Sequence, residues 1–271
     1  MWGPSRYPVA VIRRYLLPIL AVALMLAACG TPSPSPTPAL DARQVVTMGM
    51  KATAGLKSFH LSATATGTLQ IPQLGGSGLN LKGTTAEGDV DLAGKRVALH
   101  FAVPPLLNVE GDLLVVDDVA FIRTSLTGAK WMKQAASASG AGSPVPDPGS
   151  LVDDVAAFLD REGVEARKLN DAACGDSTCY QVELTVPSTV LDDAASAAGA
   201  TASGLLSEPL ILNLEFDKQS LYLTSASASI ESAASGAFTL DLALSNFDAT
   251  TSIAPPPSDQ VDESGGGFSL P

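Results

Sequence analysis

The sequence predicts an α+β fold: a single curved antiparallel sheet with helices packed over its concave face. Three observations point there. Period-two alternation recurs in consecutive segments, as where Phe59, Leu61, Ala63 and Ala65 alternate with His60, Ser62, Thr64 and Thr66. That pattern is the mark of a sheet with one apolar face. Few of these segments are separated by helical ones, which argues against a parallel sheet built from crossovers. The apolar load is aliphatic: hydrophobic residues make up 46% of the chain, with only two Trp and four Tyr.

The elements follow in order. Asp41 to Lys57 reads as a helix, with Asp41 as N-cap and Val45, Met48, Ala52 and Leu56 along one face. Strands are expected around 59–66, along an extended run from Leu79 to Leu92, and over Val97–Val103, which Pro104 and Pro105 end. Leu113–Val116 and Val119–Thr124 read as a hairpin turning at Asp117-Asp118, with Lys130-Trp131 beyond it as a buried anchor. After a Ser/Ala/Gly/Pro loop over 135–149, Ser150 is the expected cap of a second helix, with Asp153 as its capping-box partner and Leu151, Val155, Phe158 and Leu159 on one face. Ala166–Leu169 and Tyr180–Val186 form the next expected hairpin. A third helix spans Pro187–Ala198, with Val190, Leu191, Ala194 and Ala198 inward. Three strands close the domain, at 210–216, 221–230 and 238–247, and the Pro- and Gly-rich stretch of 251–271 is expected to be disordered.

Residues 1–28 read as a processing segment. Arg6, Arg13 and Arg14 precede an apolar stretch from Tyr15 to Ala28. That stretch is shorter than the roughly 18 residues a membrane span needs. It ends Leu26-Ala27-Ala28-Cys29, the pattern of a bacterial lipobox, in which Cys29 is acylated and becomes the first mature residue. Residues 29–40 then form a Pro/Ser tether of polyproline character. The expected place is the outer face of the cytoplasmic membrane, held by lipid, with residues 41–250 as the domain.

Removing three arginines takes the formal net charge from −12 to −15. A chain so acidic, with no basic cluster, excludes nucleic acid as a partner and leaves the anchor, not a polybasic patch, to hold it at a membrane. With Cys29 acylated, Cys174 and Cys179 remain as a pair. In an exported protein they are expected to form a disulfide. The competing metal or redox reading is weaker, because four residues separate them, not two.

Chemistry-bearing motifs are missing. The sequence holds no Gly-x-Ser-x-Gly, Ser-x-x-Lys, His-Glu-x-x-His or phosphate-loop pattern. His100 falls mid-strand, where a solvent-face or satisfied core residue is the expected role. Asp117-Asp118 reads as a turn and Asp192-Asp193 as a solvated helix face, since calcium needs further oxygens at defined spacing. No catalytic residue, metal or cofactor is therefore expected. What remains is the apolar face. If it walls a cavity, the lining is Leu99, Phe101, Leu184, Leu212, Leu214, Leu240 and Leu242, beneath helices carrying Val45, Val155 and Val190. Alternation puts the residues of one strand on one side; it does not align one strand with the next. Dense packing with no cavity is the open alternative.

The chain resembles the LppX/LprG-type actinobacterial lipoproteins. The likeness spans residues 41–250 and rests on the order of individually weak features. These are the lipobox and tether, the helix running into Leu56-Lys57-Ser58-Phe59-His60-Leu61, Glu87-Gly88-Asp89-Val90, Val119-Ala120-Phe121-Ile122 and Lys130-Trp131. The Cys174–Cys179 spacing and the 135–149 loop have no counterpart in the family's pattern. The resemblance implies a half-barrel with a cavity for acylated lipids and no enzymatic activity. The family's own ligand preference does not transfer; the expected ligand is a lipid or glycolipid carried between membrane and outer envelope, with an envelope transporter or receptor as a further partner and the chain a monomer. Two other classes stay open: a structural or sensory envelope protein that binds another protein, which an exposed apolar patch would favour, and a hydrolase, which a perturbed carboxylate in a cleft would favour.

Overall fold

Asp41 opens helix α1 (Ala42–Ala54) as its N-cap: its carboxylate accepts from the Gln44 amide at 2.8 Å, and the Gln44 side chain accepts from the Asp41 amide in return. This capping box satisfies two of the amides a helix start leaves without partners. The computed structural model describes residues 40–70, 78–105, 108–135, 148–197, 208–232, 236–249 and 251–262. The expected signal segment, Cys29 and its tether, and most of the 135–149 loop fall outside these.

After α1 come β1 (Ser58–Gln70), β2 (Gly78–Asn80), β3 (Thr84–Asp91), β4 (Arg96–Val103), β5 (Val109–Val116), β6 (Val119–Thr124) and β7 (Trp131–Ala135). Helix α2 (Pro148–Leu159) leads to β8 (Glu165–Lys168), β9 (Ala172–Cys174) and β10 (Ser177–Val186). Helix α3 (Ser188–Ala197), β11 (Leu210–Asp217), β12 (Leu223–Ser232), β13 (Gly236–Ser245) and a two-residue β14 (Val261–Asp262) complete the order. The strands make one open, curved sheet in the order β14-β7-β6-β5-β4-β3-β1-β13-β12-β11-β10-β8, with β2 on β1 and β9 on β10. The α+β class and the single large sheet are as the sequence predicts. Every pairing is antiparallel except β14 with β7, which makes the sheet mixed.

Local chemistry explains the connections. Asp117 and Asp118 both adopt positive φ, 51° and 61°, and Val116 pairs with Val119 across them. A two-residue turn with both central residues left-handed matches the twist of the flanking strands, and aspartate tolerates that conformation. Cys174 and Cys179 form the expected disulfide, with Cα atoms 5.8 Å apart, joining β9 to β10. Asp217 shapes the β11–β12 turn by accepting from the amides of Gln219 and Ser220 and from the hydroxyls of Ser220 and Ser177.

Helix α1 packs on β8, β10, β11 and β12, and α2 packs on α1. The fit is close: a Cβ added at Gly49 would lie 2.2 Å from Cδ1 of Phe216, so the ring occupies the space a side chain would need. Phe216, Val45, Val46 and Val182 are fully buried there. Thr53 ties the helix to the sheet, its hydroxyl donating to the Gly49 carbonyl and accepting the Leu223 amide at 2.8 Å.

Four expectations need correcting. Met48 does not face inward; it is 43% exposed, and Val46, Gly49 and Thr53 are buried instead, so the packed stripe lies to one side of the one expected. Helix α2 starts at Pro148, so Ser150 is a helical residue, not the cap; proline suits a first turn, whose amides lack partners anyway. The run from Leu79 to Leu92 is two strands with a turn at Gly83, whose φ is +84°. Residues 251–262 are not a loose tail. Ile253 is buried, its carbonyl accepts from Arg96 at 3.1 Å, and Val261 pairs with Trp131 on β7.

Candidate apolar site

The register answers what alternation could not. Residues directly opposite in a ladder share a face. One row of partners runs Leu184–Leu212–Ala228–Leu240–Ala65–Thr84 across β10, β11, β12, β13, β1 and β3. The next runs Val182–Leu214–Ala226–Leu242–Ala63–Ala86–Phe101 and reaches β4. Leu99, two residues from Phe101, lies on the same side. All seven strand residues expected to line a cavity therefore share one face.

That face is unevenly covered. Beneath α1, Val45, Leu184 and Phe216 are buried. At the other end, Val90, Val97, Val115 and Ala120 form a small core with Leu99 packed against it. Between them Leu212, Leu214, Leu242 and Phe101 are half-buried and Leu240 is 45% exposed. Leucines on β11 and β13 are separated by alanines on β12, and β1 adds Ala63 and Ala65, so strands about 4.8 Å apart present leucine ridges and alanine floors. The result is an apolar trough. Of the helix residues expected above it, Val190 is buried and Val155 half-buried.

The opposite face is polar. Ser62–Glu87–His100–Asp112–Arg123 form one of its rows. Asp112 sits 2.9 Å from Nδ1 of His100 and accepts from Arg123 at 2.7 and 3.1 Å. Burial pushes the Asp112 carboxyl up, but hydrogen bonds from His100 and Arg123 and the charge on both outweigh it, leaving it below the usual carboxylate range. His100 is thus a solvent-face residue with a partner, as expected. A cleft of about 340 Å³ lies beside this group, lined by His100, Asp112, Arg123 and the 124–129 turn. Trp131 is buried on this face, with the Arg123 guanidinium 4.6 Å from the ring centre.

Sequence reasoning missed the residues that matter most for coverage. The sequence pattern predicts a strand ending at Phe216 and a helix through Gly49, with nothing local to bring the two together. The signal available was a glycine inside an otherwise regular helix, which commonly marks a close approach. Among the described residues no group of three His, Cys, Asp or Glu is placed to hold a metal, and no helix is long and apolar enough to cross a membrane.

Fold and site together define an α+β protein with one open curved sheet whose apolar face is partly roofed by helices. LprF from Mycobacterium bovis has this fold: the two chains align over 79% of this one and 96% of that one, with 19% identity and a TM-score of 0.51. The Mycobacterium tuberculosis lipoprotein LppX aligns over 78% of this chain and 97% of its own, with 14% identity and a TM-score of 0.49. No family model and no curated protein matches the chain.

Proposed function

We propose that the chain is a cell-envelope lipoprotein, anchored through Cys29 to the outer face of the cytoplasmic membrane, that binds acylated lipids or glycolipids in the trough and carries them between membrane and outer envelope. It is not an enzyme. The observation that carries this reading is the exposure of Leu240 on a face whose other apolar residues align in register across six strands. A contiguous apolar surface of that kind in an acidic, extracytoplasmic protein is costly unless something covers it. Acyl chains fit the chemistry: aliphatic ridges and small floors offer dispersion contact and few hydrogen bonds. The fold likeness to LprF and the sequence resemblance to LppX/LprG-type lipoproteins support the same reading.

The Leu–Ala lining, rather than a ring of aromatic residues with polar groups, favours flexible hydrocarbon over a rigid ligand. The test is native mass spectrometry of the chain purified from its own membrane, followed by lipid extraction. The expected result is a bound species whose mass and fragments show fatty acyl groups. A chain that is purely apo, and stays so when offered lipid vesicles, overturns the reading.

A further inference from the structure

We infer that one rim of the sheet, formed by the turns β2–β3, β4–β5 and β6–β7, docks on an anionic phospholipid surface, with Leu126 entering it and Lys82 and Lys130 meeting the phosphates. Hairpin-connected strands send alternate turns to opposite ends of a sheet, and the register sorts them. Ala65 pairs with Thr84, Thr85 with Ala102, Val103 with Val109 and Gly111 with Thr124, which gathers these three turns at one end. The β3–β4 and β5–β6 turns lie at the other, where the Asp248 amide donates to the Ser58 carbonyl. The two ends differ in charge. The second carries exposed Asp117, Asp118 and Asp248 beside Lys57 and Lys95. At the first, the described turn residues are Leu81 to Gly83, Pro104, Pro105, Asn108 and Ser125 to Lys130. They include no acidic residue, in a chain whose formal net charge is −12.

Leu126 is 61% exposed, more than any other large apolar residue described. Its turn is pinned on both sides. The Ser125 amide donates to the Glu110 carbonyl at 2.8 Å, the Thr127 amide to the Thr124 carbonyl at 3.1 Å, and the Thr124 amide to the Thr127 hydroxyl at 3.1 Å. A leucine held out in water forgoes the burial that an acyl layer would supply. Lys82 and Lys130 are exposed, and neither pairs with a carboxylate among the described residues. Glu110, the first acidic residue inside this end of β5, belongs with Asp112 to the polar face. An apolar tip with cations set back from it is how a protein edge seats in a lipid interface. Two lysines hold an acidic chain too weakly to anchor it, so the rim orients the domain rather than attaching it. The row that contains Leu240 ends at Thr84, directly after the first of these turns. Docking itself needs no lipid in the trough.

The experiment places an environment-sensitive dye on Ala129→Cys, exposed in the same turn, or on Asp118→Cys at the opposite rim, in the chain purified from its own membrane. Each conjugate is mixed with vesicles of phosphatidylethanolamine and phosphatidylglycerol, made with and without a doxyl-labelled phospholipid; melting temperature confirms that each is folded. The expected result is a blue shift and quenching by the doxyl lipid at position 129 and neither at 118. In the Ala129→Cys background, Leu126→Gln should abolish the shift. Lys82→Gln and Lys130→Gln should each lower the ratio of docked to free chain roughly fivefold. A dye at 129 that stays as wet as the one at 118 overturns the docking rim, and so do equal shifts at both rims. A shift that survives Leu126→Gln and both lysine changes overturns it as well. So does a shift at 129 that rises with chain concentration and needs no vesicles, which would mark contact with a second copy.

Discussion

Under α1, the apolar face is filled: Phe216 is fully buried against Gly49, and Val182 and Leu184 are buried beside it. Three strands along the same rows of the ladder, Leu240 is 45% exposed and Leu242 half-buried, although both belong to the same face as Leu184. The two regions share sheet geometry, hydrogen bonding and hydrophobic character, so what separates them is cover. One stretch is closed by a helix whose glycine admits a phenyl ring. The other has alanines between its leucines, and there Leu240 stays 45% exposed. Burial supplies stability where the face is closed, and the open stretch contributes little of it because its apolar area stays wet. The comparison therefore separates residues that hold the fold from residues available to a ligand.

Substitutions should divide along that line. Phe216→Ala removes a fully buried ring and is expected to cost about 3–5 kcal/mol, read by denaturant unfolding. Gly49→Ala forces a methyl into the Phe216 ring and is expected to cost about 1–3 kcal/mol; a neutral result would mean that the helix does not seat on the sheet as described. Replacing Cys174 and Cys179 by Ser opens a short loop, for which the chain-entropy estimate gives about 2 kcal/mol. Leu240→Ser, in the open stretch, is expected to change stability by no more than about 0.5 kcal/mol while reducing lipid retention, because surface substitutions seldom cost more. If Leu240→Ser destabilises the chain as much as Gly49→Ala, the distinction between closed and open stretches fails.

Acid should act away from both regions, at the β11–β12 turn. Four donors hold the Asp217 carboxyl down to about 2, from an ordinary 3.8. A carboxylate whose folded pKa is depressed adds stability above its unfolded pKa and loses it as pH falls through the folded one. The gap in melting temperature between the parent and Asp217→Asn should therefore hold steady above about pH 5 and shrink as pH falls from 3.8 toward about 2. A gap that widens on acidification would contradict the assigned hydrogen bonds.

The alternation of His60, Ser62 and Thr64 with Leu61, Ala63 and Ala65 made the strands legible, since period-two patterning follows directly from the pleat. The Asp117-Asp118 turn and the Cys174–Cys179 pair were legible for equally local reasons. Register was not. It depends on pairings between residues far apart in sequence, such as Ala63 with Leu242, and no local pattern specifies those. The face of α1 was misjudged by about one position because helical spacing accommodates Met48 as readily as Gly49; only the Phe216 ring, distant in sequence, decides between them. The segment after Thr250 looked disordered by composition, yet Ile253 and Val261 are enough to fix it on β7 and Arg96. The seven strand residues named for the site were right about their common face, and sequence carried no information on which of them a helix would cover.

The most direct test of the central claim is Leu242→Trp, measured for bound lipid and melting temperature together. If the trough is a ligand site, the indole occupies space that an acyl chain would take: lipid content falls sharply and the melting temperature of the lipid-free chain stays within a few degrees of the parent's. If instead that stretch is an ordinary packed core, the same change costs about 1–3 kcal/mol by overpacking. A clear drop in melting temperature, with no lipid lost because the parent chain held none, would contradict the account.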